Sequence, residues 1–238
     1  MKKLFSVLMI AFAMTAMVAC NKDNNNDNGG DNGGSGNDVS GNWVDLGLPS
    51  GILWATCNVG ATTPEGCGDY FAWGETQTKD MYDWSTYAYG NAYNQLTKYC
   101  RLADLGYEGF TDDLAGLEEG DDAATAILGG GARTPDTGNW NELLEYTTRT
   151  WTSMNGVDGC LFTATNGNTL FLPAAGNRCG AELCETTLGF YWSNTVYSVY
   201  PADAWCLFLS SGEVAVINGR GRTRSYGFTV RAVKPLLE

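Results

Sequence analysis

The stretch "TGNWNELLEYTTRT" (137–150), followed shortly by "CLFTATNGNTLFLP" (160–173), decides the fold class of this chain. In the first, the residues of a core-facing stripe from Trp140 to Thr147 recur at i, i+3, i+4 and i+7, which predicts a helix. In the second, two β-rich runs flank Asn166-Gly167, a pair typical of a tight hairpin turn. A helix followed by strands that pair with their sequence neighbours predicts an α+β fold, not a parallel βαβ sheet.

Further elements are predicted on either side. Upstream, "DDAATAIL" (121–128) begins with carboxylates suited to a helix N-terminus and ends at a glycine run, which predicts a first helix. Downstream, "AWCLFLS" (204–210) predicts a strand buried on both faces, and "EVAVIN" (213–218) predicts its hairpin partner. "GFTVRAV" (227–233) predicts a last strand. The expected fold is therefore α+β, with mixed, mostly antiparallel sheets and two helices.

The N-terminus has the layout of a secretory signal. Met1-Lys2-Lys3 is basic, positions 4–18 are almost wholly apolar, and Ala19-Cys20 closes the run. The apolar run is too short for a permanent membrane-spanning helix. The string "AMVAC" (16–20) resembles a bacterial lipoprotein signal, in which the cysteine is acylated, and several acyl chains together anchor a protein stably. We therefore expect a signal peptide over 1–19 and lipid attachment at Cys20.

The segment after Cys20 has the composition of a tether. Positions 21–41 are nearly all Asn, Asp, Gly and Ser, with too little apolar surface to offset the entropy of the chain. We expect a flexible linker over 20–42 and one folded domain over 43–235. The acidic, Asn-rich run also resembles the surface-export signal of Bacteroidetes-type lipoproteins, which implies exposure on the outer membrane. A periplasm-facing anchor is the alternative.

The chain is acidic and contains no histidine. Its formal net charge of −13 becomes about −15 if Lys2 and Lys3 leave with the signal, which argues against nucleic-acid partners and anionic membrane surfaces. The lack of histidine excludes Ser-His-Asp and Cys-His nucleophiles and His-ligated metals. The sequence contains no C-x-x-C motif, so the spacing of its cysteines does not predict a zinc site. We expect no cofactor, no metal and no enzymatic activity, while pairing of Cys179 with Cys184 stays open.

Paired carboxylates are the remaining route to catalysis. Asp112-Asp113, Glu118-Glu119 and Asp121-Asp122 fall in a polar loop and at a helix start, where solvation and capping are the expected roles. A glycan hydrolase that uses two carboxylates is retained as an alternative. The nearest candidate for a calcium site, "YPAD" (200–203), matches poorly, so calcium is not expected.

Six segments, in order along the chain, resemble one family. They are "WVDLGLPSGILWATCNVGATTPEGCGDYFAWGET" (43–76), "LTKYC", "ARTPDTGNWNELL", "LFLPAAGNR", "YWSNTVY" and "GFTVRAV". Together they resemble the Bacteroidetes lipoproteins that carry the Fibrobacter succinogenes major paralogous domain, over nearly all of 43–233. The resemblance implies a C-type-lectin-like fold.

"RTPDTGNWNELL" (133–144) also resembles the R-x-P-T-x-x-E-W helix of formylglycine-generating-enzyme-like members of that fold. It departs from the pattern at two positions: Asp136 replaces the usual threonine and Asn139 the usual acid, while the packing residues that follow are kept. Those enzymes use a cysteine pair, but the "GNRCGAELCET" context of Cys179 and Cys184 does not resemble theirs. Oxidase activity is therefore not expected.

The C-terminal part of the domain is the predicted recognition face. Folds of this type present their last strands and loops on a rigid core, and 191–226 is rich in Tyr and Ser, which suit adaptable contact surfaces. Lys, Met and Gln are absent from 186–233, which resembles variable regions diversified by retroelement-directed mutagenesis. An ordinary, undiversified surface is the alternative. The candidate ligand-binding residues are Asn194, Val196, Tyr197, Ser198, Tyr200, Val216, Asn218, Arg220, Arg222, Arg224 and Tyr226.

Arginines at alternate positions in "RGRTR" (220–224) would project to one side of an extended strand. They predict either a grip for an anionic ligand or, the interpretation we favour, a solvated hairpin edge. Arg231 is expected to pair with a core carboxylate. The tryptophans are expected in the core, with Trp192 and Trp205 supporting the recognition face.

These patterns together predict a lipid-anchored, surface-exposed binding protein. Its expected partner is a protein or glycan ligand outside the cell, with membrane contact through the lipid anchor only and no nucleic acid. A carbohydrate-binding or adhesin accessory module is the first alternative, and the two-carboxylate hydrolase is the second.

Overall fold

The structure is a computed structural model that describes residues 43–217 and 223–236. Short strands dominate it, and two α-helices lie before the third strand in the chain. The strands are β1 (Trp43–Asp45), β2 (Ile52–Ala55), β3 (Thr147–Met154), β4 (Val157–Ala164), β5 (Thr169–Pro173), β6 (Asn177–Cys179), β7 (Glu182–Cys184), β8 (Gly189–Val196), β9 (Ala204–Leu209), β10 (Val214–Ile217) and β11 (Val233–Pro235). The helices are α1 (Ala123–Leu128) and α2 (Thr137–Tyr146).

Every strand pair within the sheets is antiparallel. The sheets have the orders β1-β2-β11, β3-β4-β5 and β10-β9-β8, and β6 and β7 form a separate hairpin. The predicted α+β class with mostly antiparallel sheets is confirmed, as are the hairpins β4–β5 and β9–β10. Of the helices in the described ranges, none has the length and apolar character needed to cross a membrane.

The β8–β9–β10 sheet separates two hydrophobic cores. On β8, Phe190 and Trp192 pack into the first core, which also contains Trp73 and Phe228. Tyr191, between them, packs into the second core with residues of β4, β5 and α2. Successive side chains of a strand point to opposite faces, so a strand that is apolar at every position belongs between two layers. The predicted two-sided burial of 204–210 is confirmed by β9, whose residues alternate between the same two cores.

Helix α2 follows the predicted pattern. Trp140 and Leu143 are fully buried in the second core. The two positions that depart from the R-x-P-T-x-x-E-W pattern form its N-cap: the Asn139 backbone N–H donates to the Asp136 carboxylate at 2.7 Å, and the Asp136 backbone N–H donates to the Asn139 side-chain oxygen at 3.2 Å. This is a capping box built from Asp and Asn in place of Thr and Glu, and it satisfies two helix-end donors. The helix therefore keeps its start despite both substitutions.

The first helix is shorter than predicted. It begins at Ala123, because Asp122 serves as its N-cap and accepts from the Ala124 N–H at 2.9 Å. Asp121 belongs to a preceding 3₁₀ turn, Glu119–Asp121. The C-terminal end at the glycine run is confirmed, with Gly129 as the C-cap at a φ of +59°.

The predicted last strand over 227–233 is wrong as a single element. Phe228 pairs with Phe71, and Thr229 pairs with Tyr191 on β8, each as an isolated bridge. Continuous pairing begins only at Val233, where β11 joins β2. The segment is extended and buried, but its backbone groups bond to several different parts of the chain, so no ladder forms.

The segment 56–122 has no β-strand or α-helix and contains only short 3₁₀ turns, yet it is tied to the central sheet. The Trp73 indole N–H donates to the Ser193 carbonyl at 2.7 Å, and the Trp192 indole N–H donates to the Phe71 carbonyl at 2.7 Å. Most buried indole N–H groups have such partners. These two hydrogen bonds fix the segment 56–122 in position against β8. The predicted core role of Trp73 and Trp192 is confirmed.

Candidate recognition surface

The connection from β8 to β9, residues 197–203, is a compact loop held by its own backbone. We call it the tip loop. The Tyr197 N–H donates to the Asp203 carbonyl at 3.1 Å, the Tyr200 N–H to the Tyr197 carbonyl at 3.0 Å, and the Asp203 N–H to the Tyr200 carbonyl at 2.9 Å. Tyr197 is half-buried and packs edge-on against Trp205 on β9 at 5.3 Å between ring centroids. The predicted supporting role of Trp205 agrees with this contact. The loop is thus a defined shape.

The side chains at the middle of the tip loop face solvent. Val199 is 70% exposed, Tyr200 is 37% exposed, and Ser198 is exposed as well. Tyr93 in a neighbouring loop is 50% exposed. Burial first, and then the nearby Asp203 and Tyr93, raise the pKa of Tyr200, so both groups lie within electrostatic range of its hydroxyl. Two exposed tyrosines beside a serine form a rigid aromatic contact with adaptable hydrogen-bonding groups.

Asp203 lies beneath this surface, and its unusual environment was not predicted from the sequence. Its side chain is only 7% exposed, and its Oδ1 atom has no hydrogen-bond partner. Burial raises the pKa of Asp203 to about 6, and the positive charge of Arg224 opposes the rise. One signal was present in the sequence: Asp203 is the single acidic residue between Glu185 and Glu213.

Asn194 occupies the end of β8 beside the tip loop. It is half-buried, and its side-chain oxygen accepts from the Thr195 hydroxyl at 3.2 Å. Its backbone groups form hydrogen bonds with two other segments: the N–H donates to the Pro135 carbonyl, and the carbonyl accepts from the Leu117 N–H. The register of the β8–β9 pair shifts between Trp192 and Val196, and such an irregularity changes the direction of the strand at this point. Asn194 is therefore held in place by segments outside the tip loop, two residues before β8 ends.

Two other candidates belong to the cores. Val196 is 4% exposed and packs into the first core, so its predicted place on the recognition face is wrong. Val216 is half-buried on β10 and packs against the second core. Both are apolar residues on strands of a sheet that is covered on both faces, and their burial contributes to stability rather than to contact with a ligand.

Arg224 is fully buried, so the predicted solvated edge and the predicted anion grip are both wrong at this position. Its guanidinium lies 5.3 Å from the Trp73 ring centroid and 5.5 Å from that of Tyr87. It donates to the carbonyls of Tyr99 and Lys98, each at 3.2 Å. A planar, weakly hydrated guanidinium is suited to such a site, where rings cover its faces and carbonyls accept from its edge.

The remaining candidates divide between the first core and the undescribed part of the chain. Tyr226 is half-buried and packs against the first core, near Arg224 in the chain. Asn218, Arg220 and Arg222 lie outside the described residues, as does Cys20 with the predicted signal and linker. The described part of the candidate surface is therefore Asn194, Ser198, Val199, Tyr200 and Tyr93.

The paired carboxylates have structural partners. Asp112 accepts from the Tyr99 N–H at 2.7 Å and the Cys100 N–H at 3.0 Å. Asp122 caps α1 and also accepts from Thr134. Asp121 accepts from the Lys98 ammonium at 2.6 Å. The predicted capping role is confirmed for Asp122, whereas Asp121 is held by an ion pair that the sequence did not predict.

Arg231 has a different partner from the one predicted. It is fully buried and donates to the Asn58 side-chain oxygen at 2.8 Å and to the carbonyls of Ala55 and Thr56 at 3.0 and 2.6 Å. These partners are one amide and two carbonyl oxygens, so the predicted carboxylate partner is wrong. Burial lowers the pKa of Arg231 to about 10, which still leaves it charged at neutral pH.

The cysteine pairing left open by the sequence is resolved in the β6–β7 hairpin. Cys179 and Cys184 form a disulfide there. Cys57, Cys100 and Cys160 carry thiols, and burial raises the pKa of Cys160 to about 11. A thiol with a raised pKa is a poor nucleophile.

Comparisons with protein-family models, with curated proteins and with solved structures found no match.

Proposed function

We propose that this chain is a lipid-anchored binding protein at the outer cell surface, and that its domain, of the C-type-lectin-like kind, binds an extracellular protein or glycan through the tip loop and the neighbouring Tyr93. One observation carries the proposal: the tip loop keeps its shape through backbone hydrogen bonds while Ser198, Val199 and Tyr200 face solvent. Preorganised loops that display Tyr and Ser lose little conformational entropy on binding.

The architecture supports the display of such a loop. Strands β1 and β11 both pair with β2, so the two ends of the domain meet in one sheet. The linker predicted before Trp43 then enters at that sheet, and the tip loop is not part of the attachment. Loops carried by a rigid scaffold are the usual place for binding function.

Diversification of the exposed positions is compatible with this arrangement. Ser198, Val199 and Tyr200 are exposed, so substitutions there leave both cores unchanged. The buried neighbours Val196 and Asp203 fix the limits of the variable surface. A tip loop of fixed sequence and a tip loop that is diversified would both bind through these exposed positions.

The hydrogen bonds formed by the acidic residues support a function in binding without catalysis. Asp112 and Asp122 accept hydrogen bonds from backbone N–H groups, which holds them in structural roles. A general acid in a two-carboxylate hydrolase has to exchange its proton with the substrate. The hydrolase alternative accordingly becomes one outcome of the test below.

The test compares two single-tyrosine variants on arrays of glycans and of extracellular proteins. Tyr200→Ala should weaken binding at least about tenfold, because exposed aromatic anchors dominate binding energy. Tyr146→Ala is the matched control: Tyr146 is 45% exposed at the end of α2 and should bind like the wild type. Equal binding by both variants contradicts the proposal, and so does release of cleaved glycan products by the wild type.

A further inference from the structure

A polar cleft lies apart from the tip loop. Its volume is about 650 Å³, and its walls come from 60–70, 78–82 and 178–181. This volume lies within the range of roughly 300–1,000 Å³ that small-molecule sites occupy. None of the candidate residues of the recognition surface lines it. We call it the side cleft.

The wall formed by 60–70 is fixed by glycines. Gly60 has a φ of +82° and Gly68 a φ of +71°, a conformation that favours glycine. A Cβ at Gly60 would collide with the Asp69 carboxylate, and one at Gly68 with the Val59 carbonyl. The Asp69 side chain is therefore packed directly against the backbone, and its carboxylate has a defined position in the wall.

The floor is made of two tyrosines whose hydroxyls are already used. Tyr70 donates to the Ala175 carbonyl at 2.5 Å, and Tyr82 donates to the Tyr70 carbonyl at 2.6 Å. Burial is the main cause that raises the pKa of Tyr70 to about 12, so this phenol is neutral at pH 7. The floor is accordingly rigid and uncharged.

Arg178 is the cation with spare hydrogen-bonding capacity in the side cleft. It is half-buried on β6, and its guanidinium lies 5.5 Å from the Tyr70 ring centroid. One N–H donates weakly to the Ala181 carbonyl at 3.4 Å. Within the described residues, no carboxylate lies within ion-pairing distance of it. Arg178 therefore keeps most of its five N–H donors for solvent or a ligand.

The position of Arg178 is set by three neighbouring constraints. Its backbone pairs with Gly227 through hydrogen bonds of 2.7 and 3.0 Å, and the next residue, Cys179, is held by the disulfide. A Cβ at Gly227 would come within 2.9 Å of the Arg178 Cβ. The Tyr70 ring covers the guanidinium. Such preorganisation lowers the entropy that binding has to overcome.

The charges of the side cleft are balanced. Asp69 and Asp80 oppose Lys79 and Arg178. Lys79 is already bound to Glu75 at 2.8 Å and to the Thr86 carbonyl at 3.1 Å. The surroundings of Arg178 therefore contain at least as many negative as positive charges, in a chain of net charge −13. This balance disfavours an anionic ligand.

We propose that the side cleft binds a neutral saccharide, with Arg178 donating hydrogen bonds to ring hydroxyls and Asp69 accepting from them. A sugar hydroxyl both donates and accepts, which suits a lining that contains guanidinium, carboxylate and threonine hydroxyl groups. The aliphatic side chains lining the cleft are small, Ala61 and Ala181, and the tyrosine rings of the floor offer the flat apolar surface on which a sugar ring can stack. The site goes beyond the tip loop, and either site can exist without the other.

The test measures the binding of glucose, galactose, mannose and N-acetylglucosamine to the purified full-length protein by saturation-transfer NMR and calorimetry. Arg178→Gln should weaken binding of the preferred sugar roughly tenfold to a hundredfold, since it removes charge-assisted hydrogen bonds. Asp69→Asn should weaken it as well. Arg149→Gln is the matched control, because Arg149 is an exposed arginine on β3, outside the side cleft. It should bind as the wild type does.

The other outcomes are decisive against the proposal. Binding of none of the four sugars overturns it, as does sugar binding that Arg178→Gln leaves unchanged. Preferential binding of glucuronate or of a free amino acid would assign the site to a charged ligand instead. Tyr200→Ala should leave sugar binding at the side cleft unaffected, so this proposal and the tip-loop proposal fail independently.

Discussion

At the scale of single residues, Asp203 has the least ordinary environment in the recognition region. It is a carboxylate beneath an exposed tyrosine, almost fully buried, with one oxygen that no donor reaches. Arg224, whose positive charge opposes the rise in the pKa of Asp203, has its own Nε atom without a partner. An unsatisfied buried carboxylate costs stability, and such costs are typically retained at functional positions.

Asp203→Asn tests this cost. Because its pKa rises from 3.8 to about 6 on folding, the folded state holds the proton more tightly than the unfolded chain. The free energy of unfolding of the wild type should therefore fall between about pH 4 and pH 6 and stay level above that range. At pH 7 the asparagine variant should be more stable by about 3 kcal/mol, because a pKa rise from 3.8 to about 6 is worth ~1.4 kcal/mol per pKa unit.

Urea unfolding of wild type and variant from pH 4 to pH 8 measures the difference. The difference in the free energy of unfolding between wild type and variant should be close to zero at pH 4 and should increase as the pH rises. Asp158→Asn, at an exposed aspartate on β4, provides the control and should show no such difference. A constant difference at all pH values would mean that Asp203 acts through packing and not through its charge.

At the scale of elements, α2 depends on its unusual N-cap. Asp136→Ala removes the acceptor for the Asn139 N–H and should lower the free energy of unfolding by about 1 kcal/mol. Asp136→Thr restores the residue that the family pattern expects and should keep the cap, with a change below about 0.5 kcal/mol. Thermal unfolding followed by far-UV circular dichroism distinguishes the two. Equal losses in both variants would show that the carboxylate charge, not the capping hydrogen bond, stabilises the helix.

The elements that the sequence predicted well are those that local chemistry specifies. The stripe around Trp140 and the Asn166-Gly167 turn need only near neighbours, and α2 and the β4–β5 hairpin follow them. The error at 227–233 has the opposite cause. An extended apolar segment looks like a strand whether it pairs with one neighbour or with several, and its bridges to Phe71 and Tyr191 depend on partners far away in the chain.

The candidate surface was predicted in part for the same reason. Tyr200 and Ser198 were found because Tyr and Ser cluster in a loop between two strands. The burial of Arg224 was not predictable, since it requires Trp73 and Tyr87 to cover its guanidinium. Alternation of arginines is a local pattern, whereas their shielding is a property of the assembled core.

At the scale of the whole molecule, one sheet organises both cores and the tip loop. Strands β8 and β9 supply side chains to the first core on one face and to the second core on the other. The tip loop is the connection between these two strands, so its ends are attached to the most buried part of the domain. A loop with anchored ends can vary at its exposed positions without a change in the fold.

The length of the predicted linker agrees with the proposed display of the tip loop. The linker over 20–42 is outside the described residues, and a coil of its length and Gly-rich composition spans about 25 Å on average. In the proposed display, this distance would keep the domain close to the membrane and leave room for rotation about the attachment. The proposal assigns the attachment to a lipid at Cys20 and not to contact between the domain and the membrane, since a net charge of −13 disfavours anionic surfaces.

The attachment is tested by Cys20→Ser. The wild type should incorporate labelled palmitate and remain in the membrane fraction until detergent is added, because several acyl chains hold it. The serine variant should lose the label and leave that fraction, while its folded domain keeps the same unfolding midpoint. Cys57→Ser replaces another thiol, one that is half-buried and outside any disulfide, and should retain both label and location. Membrane retention of unlabelled Cys20→Ser would mean that the chain is held by a protein partner, and the proposed display by a lipid anchor would then be wrong.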